Sequence, residues 1–278
     1  MEATEQMNTA GALPAHADRD AQGEGAADDA GAGPENVAQR LVQLERELAQ
    51  ARQAMEDFTY SVSHDLRASL RHVSAFVRIA REDLGDAADP DVAAHLDMAA
   101  GAAAQMGRLM DGLLELSRID RAELQAGNVD LARLIYDIRL QLQDQTQGRD
   151  IVWQVAPDLP QVYGDVALLH QMLAQLLGNA LKFTGKTAQP CISIGGSRRE
   201  DGWVEIALRD NGAGFDPRLQ DRLFRVFQRL HSAKEFDGIG IGLAVARRVV
   251  ERHGGSIAAS GEPGKGCCIS LSLPPARA

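Results

Sequence analysis

Hydrophobic residues recur along the first part of the chain at alternating spacings of four and three positions, with Gln, Glu and Arg between them. The members of this first seam are Val37, Leu41, Leu44, Leu48, Ala51, Met55, Phe58 and Val62. An average period of about 3.5 residues is typical of helices that pair in a left-handed coiled coil. The pattern therefore predicts a coiled-coil entry helix over residues 37–57 that continues beyond residue 58.

A second seam with the same alternation follows Pro90 and predicts a second helix. Its members are Val92, Leu96, Ala99, Ala103, Met106, Met110 and Leu113. Between the seams, Gly85 and Pro90 flank a short polar segment, which ends one helix and starts the next. Two antiparallel helices of this kind leave an apolar stripe exposed, and two hairpins bury it by forming a four-helix bundle. We therefore expect a homodimer, built by an α-helical hairpin over residues 58–122.

Beyond residue 126 the pattern alternates between strands and helices. Asp130 and Asp165 each precede an apolar-periodic segment and are predicted N-caps, the first of a helix that ends near Gln143. A further helix is predicted over residues 241–253. The predicted strands cover residues 151–155, 192–194, 203–209, 257–260 and 268–273. Helices on one face of a mixed sheet predict an α/β sandwich over residues 126–278.

Charge and composition narrow the range of functions. The net charge is −10, and residues 1–36 contain eight acidic residues and one arginine, so the remainder is only mildly acidic. That balance argues against a nucleic-acid-binding surface. The first 36 residues have few large apolar groups and are predicted to form a disordered acidic tail.

The chain contains no run of about 18 apolar residues and no basic-then-apolar leader, so we expect no membrane span and a cytoplasmic location. Cys191, Cys267 and Cys268 lack the spacing of metal ligands or of a disulfide framework. They are expected to be reduced packing residues.

Two glycine-rich segments are candidate phosphate sites. Asp210, Gly212 and Gly214 follow a predicted strand, and Gly238, Gly240 and Gly242 open the predicted helix at 241–253. Glycines allow a ligand to approach the backbone closely, and a helix N-terminus binds anions through its N–H groups. Each segment alone is also compatible with an ordinary turn or a loop that enters a helix.

Two further candidates carry polar chemistry on helices. Asn179 and Lys182 share one helix face at positions i and i+3, although such a pair is also common on surfaces. His64 lies two residues beyond Val62, so its side chain should point away from the bundle core. Near neutral pH an exposed imidazole is a competent nucleophile, and Asp65 can accept the Nδ1 proton so that Nε2 keeps its lone pair.

The ordered set of segments 58–71, 178–183, 210–214 and 238–243 resembles the sensor histidine kinases of two-component systems. The segment around His64 is similar to that of phytochrome-linked kinases, and the later segments to the ATP-binding domain that these kinases share with gyrase. The resemblance covers roughly residues 55–278. It implies that ATP phosphorylates His64, with Asp65 as its proton acceptor, and that the phosphoryl group passes to an aspartate of a response-regulator receiver domain.

The resemblance also implies the ligands of the nucleotide. Asn179, with Gln175 four residues earlier, is expected to hold Mg²⁺. The expected ATP contacts are Asn179, Lys182, Phe183, Asp210, Gly212, Gly214, Arg229, Gly238, Gly240, Gly242 and Leu243. Residues 211–237 resemble an ATP lid that Phe224 and Phe227 anchor. In this lid, Arg225, Arg229 and Lys234 are either phosphate contacts or solvated charges.

Three positions depart from the family pattern. Ser69 replaces a frequent proline, so the helix after His64 should be straighter. Ala68 replaces a Thr or Asn that orients water, so we expect weak or no phosphatase activity toward the regulator. Ile239 replaces a frequent threonine, without an expected effect.

Two other functions stay open on the sequence. One is a catalytically weak, kinase-like dimeric adaptor that binds nucleotide and a regulator, and the other is an ATPase related to gyrase. The input signal is not apparent, and an upstream sensor partner is possible.

Overall fold

A computed structural model describes residues 34–85, 89–146, 148–232 and 235–277. Residues 1–33 of the predicted disordered tail lie outside the described residues. The last three residues of that predicted tail, 34–36, belong to a helix. Lys234 also lies outside the described residues. The chain divides into two compact units, with the boundary between Gln53 and Ala54.

Two long helices form the first part of the structure. Helix α1 spans Pro34–Leu84 and contains both the predicted entry helix and the first hairpin helix without interruption. Helix α2 spans Pro90–Arg121; its N-cap, Asp89, accepts a hydrogen bond from the Asp91 N–H group at 2.8 Å. Proline at the first helical position fits because that N–H group has no intrahelical partner.

Three ion pairs show that α1 and α2 run antiparallel over the hairpin. They are Asp57–Arg121, Arg67–Asp111 and Arg81–Asp97. As the partner on α1 advances along the chain, the partner on α2 recedes by the same number of residues. The predicted hairpin is therefore confirmed, and its register is fixed by these pairs.

The apolar seam of α1 is exposed in the single chain. Phe58, Met55 and Val62 are exposed, whereas Ala103 and Met110 of the second seam are buried. An exposed stripe of this length is a candidate surface for association with a second copy. The homodimer itself stays a prediction.

The remaining chain forms the expected α/β sandwich. Its strands are β1 (Ala126–Val129), β2 (Val152–Val155), β3 (Val162–Asp165), β4 (Cys191–Arg198), β5 (Val204–Asp210), β6 (Ile257–Glu262) and β7 (Gly266–Leu273). Its helices are α3 (Leu131–Gln141), α4 (Val166–Phe183) and α5 (Gly242–Arg252). Five strands pair in the order β2-β4-β5-β7-β6, parallel between β2 and β4 and antiparallel elsewhere. The predicted mixed sheet is confirmed.

Two short strands were not predicted from the sequence. Strands β1 and β3 pair antiparallel with each other in a separate two-stranded sheet. Each has four residues and lacks a clear alternation of apolar and polar positions, so only the pairing between distant segments defines it.

Alternating burial along the central strand shows where the core lies. Val204, Ile206 and Leu208 of β5 are buried, whereas Glu205 and Arg209 are exposed. The buried face packs against the apolar faces of the helices, which contribute much of one continuous core. Within the described part of the chain, no helix has both the length and the apolar character that crossing a membrane requires.

Candidate active site

A cavity of about 250 Å³ lies beside α4, between the sheet and the segment over residues 211–241. It brings together all the predicted nucleotide and metal residues except Gly212. Those in its lining are Gln175, Asn179, Lys182, Phe183, Asp210, Gly214, Arg229, Gly238, Gly240, Gly242 and Leu243. Apolar side chains such as Leu176, Leu208 and Ile269 complete the wall. A largely apolar cavity with a few convergent polar groups is typical of a small-molecule site.

One end of the cavity combines amides with a lysine. Gln175, Asn179 and Lys182 follow one another at helical spacing on one face of α4. A Cβ added to Gly242 would lie 2.6 Å from Gln175 Oε1 and 3.6 Å from Asn179 Nδ2. A Cβ added to Gly238 would lie 3.2 Å from Lys182 Nζ. The α4 side chains therefore face the glycine segment at the start of α5.

The electrostatics of this end suit an anion. Burial lowers the pKa of Lys182, the positive charge of Arg229 lowers it further, and Asp237 partly opposes both effects. The N-terminus of α5 has no side-chain cap, so its N–H groups remain available to a ligand. A triphosphate placed here would meet an ammonium group, the Arg229 guanidinium and the positive end of a helix dipole.

Asp210 is a buried acidic group in the lining of the same cavity. The residue is buried, and its Oδ1 accepts a hydrogen bond from the Gly212 N–H group at 2.8 Å. Burial raises the pKa of this carboxyl, and the N–H groups of Gly212 and Cys267 partly offset the rise. Burial also raises the pKa of the Cys267 thiol to about 12, with the Asp210 charge as a smaller cause. The thiol is therefore neutral, and the Asp210 carboxyl is the hydrogen-bond acceptor in this part of the lining.

Gly212 and Gly214 allow the chain to pass close to other backbone segments. Gly212 is outside the cavity lining, and a Cβ there would lie 2.5 Å from the Phe183 carbonyl oxygen. Gly214 has a φ of 63°, and a Cβ there would clash with the Glu262 carbonyl group. At position 214, only glycine allows both the left-handed φ and the close approach to the Glu262 carbonyl group.

The predicted lid has one of its two expected anchors. Phe224 packs against the core as expected. Phe227 does not: its side chain is exposed, its φ is 63°, and its backbone N–H group donates to the Gly240 carbonyl oxygen at 2.8 Å. The prediction that the Phe227 ring anchors the lid is wrong, because the ring is exposed and this residue is attached through its main chain. Arg225 is exposed.

A cluster of three rings, which the sequence did not suggest, packs the lid segment against Phe183 at the end of α4. The centroids of Phe183, His231 and Phe236 are 5.0 to 5.4 Å apart, in tilted and edge-on arrangements. His231 Nε2 donates to the Gly214 carbonyl oxygen at 2.9 Å, and Arg229 donates to the Phe236 carbonyl oxygen at 2.6 Å. Phe236 and His231 lie in an irregular segment without apolar periodicity, so no pattern in the sequence indicated their role.

His64 is presented on the surface of α1. Its side chain is 65% exposed, and Nδ1 lies 3.3 Å from Asp65 Oδ1. The proximity of a carboxylate favours the tautomer with the proton on Nδ1, which leaves the Nε2 lone pair available. Helix α1 continues through Ser69, whose hydroxyl group donates to the Asp65 carbonyl oxygen at 3.3 Å, as expected for a segment without proline.

Comparison with known families agrees with both parts of this arrangement. Residues 54–122 match the His Kinase A (phospho-acceptor) domain, and residues 164–277 match the histidine kinase-, DNA gyrase B- and HSP90-like ATPase. The chain belongs to the histidine kinase family. The first match contains His64, and the second contains the cavity, so the kinase fold expected from the sequence is confirmed.

Curated relatives extend across most of this histidine kinase chain. It is 33% identical over 237 residues to the phytochrome-like protein Cph1 of Synechocystis sp., covering 85% of this chain and 31% of that protein. It is 32% identical over 250 residues to the adaptive-response sensory kinase SasA of a Synechococcus strain, covering 85% and 63%. The chain thus spans about a third of the length of Cph1.

Solved structures share the fold. Full-length ShkA in complex with AMPPNP matches with a TM-score of 0.58 at 25% identity, over 80% of this chain and 46% of that one. The histidine kinase AdeS of Acinetobacter baumannii matches with a TM-score of 0.55 at 17% identity, over 77% and 98%.

Proposed function

We propose that the chain is an ATP-dependent protein-histidine kinase that phosphorylates His64 and passes the phosphoryl group to a response regulator. The observation that carries the proposal is the cavity, whose lining combines a buried carboxylate with a cationic, glycine-lined helix terminus. This polarity fits adenine at Asp210 and the phosphates near Lys182. The match of ShkA, solved with AMPPNP, supports the same class of ligand.

The base is proposed to bind through Asp210. The buried carboxylate is an acceptor, which suits the exocyclic amino group of adenine and not the carbonyl oxygen that guanine has at the same position. The apolar wall formed by Leu176, Leu208 and Ile269 would enclose the ring. Specificity for ATP over GTP then follows from hydrogen-bond polarity, because a buried mismatch leaves polar groups without partners.

The phosphates are proposed to lie at the start of α5. The backbone N–H groups after Gly240, together with Lys182 and Arg229, would neutralise their charge. No group of three or more His, Cys, Asp or Glu side chains suited to a metal occurs among the described residues. Amide oxygens of Asn179 and Gln175 fit Mg²⁺ instead, since this ion is usually shared between a few protein oxygens and substrate phosphates. When bound there, Mg²⁺ would neutralise charge on the phosphate oxygens.

The chemical step is a transfer of the γ-phosphoryl group. His64 Nε2 attacks the γ-phosphorus, the N–P bond forms, and the bond from phosphorus to the β,γ-bridging oxygen breaks to release ADP. Asp65, beside Nδ1, orients the ring and accepts its proton. Catalysis then depends chiefly on positioning and charge neutralisation, as is general for phosphoryl transfer.

Further proposals concern the parts and the partners of the protein. Residues 58–122 are proposed to form the dimerisation and phosphotransfer domain, and residues 126–278 the catalytic domain. The aspartate that receives the phosphoryl group would belong to the receiver domain of a response regulator. A reduced, ATP-supplied compartment such as the cytoplasm suits this chemistry.

Incubation with γ-³²P-labelled ATP and Mg²⁺ tests the proposal. The protein should acquire label that is stable to alkali and labile to acid, as expected for a phosphoramidate. His64→Ala should abolish the label while leaving nucleotide affinity within about twofold, because His64 is outside the cavity lining. His72→Ala, which replaces another exposed histidine of α1, is the matched control and should retain the label. Nucleotide binding without label would favour the adaptor, and ATP hydrolysis without label would favour the ATPase.

A further inference from the structure

The phosphate-binding side of the nucleotide domain packs directly against the second half of α2. On α5, Arg248 forms an ion pair with Asp120, and Arg252 donates to the Ile119 carbonyl oxygen. On α4, Gln171 Nε2 donates to Glu115 Oε1 at 2.5 Å. The end of α2 is therefore attached to both helices that border the cavity.

One close apolar contact in this interface involves Gly112 and Ile241. Ile241 is the N-cap residue of α5, and it lines the cavity between Gly240 and Gly242. A Cβ added to Gly112 would clash with Ile241 Cδ1 and would lie 3.3 Å from both Cγ1 and Cγ2. Rotation about χ2 would move Cδ1 away, but both Cγ atoms would stay in tight contact, so the Ile241 side chain would still have to shift by a few tenths of an ångström. Ile241 is only 6% exposed, so it has little space into which to move.

Along the hairpin axis, the contact between Gly112 and Ile241 lies close to the level of His64, the proposed phosphoacceptor. Gly112 follows Asp111, which pairs with Arg67, and Arg67 lies one helical turn beyond His64. The antiparallel register therefore places Gly112 within about one turn of His64 along the hairpin axis. A change in the packing of α1 and α2 near His64 would therefore act close to the contact between Gly112 and Ile241.

We propose that the contact between Gly112 and Ile241 is the point where the helical hairpin sets the position of the phosphate-binding segment. Ile241 is then a positioning residue for nucleotide, acting through the backbone of Gly240 and Gly242. A shift of α2 at Gly112 moves these N–H groups, and nucleotide bound to them restrains α2 in return, because coupling between two sites is reciprocal. The inference rests on the proposed ATP site.

Gly112→Ala in the full chain tests the contact, measured as the Kd for Mg–ADP by titration calorimetry. Coupling of ordinary size predicts a Kd about tenfold higher than in the wild type. Gly101→Ala is the matched control, because it makes the same change on α2 where nothing lies within 4 Å. Its Kd should stay within about twofold. In labelling assays, Gly112→Ala should raise the KM for ATP more than it lowers kcat at saturating ATP.

A double substitution distinguishes coupling between α2 and the nucleotide site from a simple loss of packing at Gly112. Ile241→Ala removes the side chain that alanine at position 112 would meet. In the Ile241→Ala background, adding Gly112→Ala should therefore change the Kd by no more than about twofold. A lower melting temperature with an unchanged Kd would show that Gly112 only packs and would overturn the inference. An undiminished loss of affinity in the Ile241→Ala background would overturn it as well.

Hydrogen exchange provides a second test that requires no substitution in α2. Mg–ADP should slow exchange of the amides over residues 110–116 of the wild-type chain and leave residues 92–99 unchanged. Ile241→Ala should abolish that protection, measured with nucleotide at saturation. Equal or absent protection in the two segments would contradict the coupling. Failure of the wild type to bind Mg–ADP would instead refute the nucleotide site itself, and the two failures are thus distinguishable.

Discussion

Among single residues, the candidate site depends most on two titratable side chains that are largely removed from water, Asp210 and Lys182. The Asp210 carboxyl lies in an apolar wall and accepts hydrogen bonds from two backbone N–H groups, and the Lys182 side chain lies near Gly238. Burial shifts the pKa of both groups, and in the proposed binding mode both lie where ATP has complementary groups. Perturbed titratable groups in one cavity are typical of functional sites.

Asp210→Asn should weaken binding of Mg–ADP by about tenfold to a hundredfold, since a hydrogen bond to a charged acceptor contributes about 1.5–3 kcal/mol. Because burial raises the Asp210 pKa, the wild-type carboxyl becomes protonated at a higher pH than an ordinary aspartate does. Wild-type affinity should therefore fall as pH decreases toward that pKa, through loss of the acceptor. Calorimetry across acidic pH should show this slope for the wild type. An equal slope in Asp210→Asn would contradict the assignment.

Gly214→Ala should destabilise the fold by about 2 kcal/mol or more, because alanine meets both a left-handed backbone and the Glu262 carbonyl group. Gly178→Ala is the control, as it lies inside α4 with nothing within 4 Å. That change should stabilise the protein by about 0.5–1 kcal/mol through helix propensity. Urea unfolding measures both free energies. Equal effects of the two substitutions would refute the structural requirement at Gly214.

At the scale of elements, caps and apolar faces were predictable because they are local. Asp130 and Asp165 are confirmed as N-caps, and the strands of the large sheet lie where alternation placed them. Strands β1 and β3 were missed because their pairing joins distant segments. The ring cluster around His231 was missed for the same reason, since its bond to Gly214 spans the lid.

Asp165→Ala should destabilise the protein more than Asp130→Ala does. Asp165 accepts hydrogen bonds from the N–H groups of Gln125, Ala167 and Leu168, whereas Asp130 accepts one, from Arg133. Loss of an N-cap costs about 1–2 kcal/mol, and the N–H group of Gln125 adds to this cost. Chemical unfolding of both variants measures the difference, and equal losses would contradict it.

The same cap predicts acid sensitivity. Burial raises the Asp165 pKa, but three N–H donors outweigh that effect and leave it below its ordinary value. Its contribution to stability is therefore present above the pKa of the unfolded chain and is lost as pH falls through the lower, folded-state pKa. The free-energy difference between the wild type and Asp165→Ala should shrink in that acidic range.

For the whole molecule, the described part of α1 carries a stripe of exposed apolar side chains. Phe76 is 70% exposed and continues the stripe past Val62 and Leu66. The sequence predicted the stripe, but whether it is covered depends on a second chain. Its exposure supports a four-helix bundle from two hairpins.

Light scattering should give a mass of twice 29.9 kDa for the wild type. Phe76→Glu should shift the equilibrium toward the monomer, because burying a carboxylate in an apolar bundle is costly. Arg78→Glu, two residues further along the helix and thus on the opposite face, is the control and should leave the mass unchanged. A wild-type monomer at micromolar concentration would contradict the predicted dimer.

In the proposed reaction, the cavity delivers the γ-phosphoryl group of ATP to one nitrogen of His64. The most direct measurement is ³¹P NMR of the protein after reaction with Mg–ATP, with mass spectrometry of the peptide that contains His64. We expect a single phosphoramidate, on Nε2 of His64. Phosphate on Nδ1, on another residue, or on none while ATP is bound would contradict it.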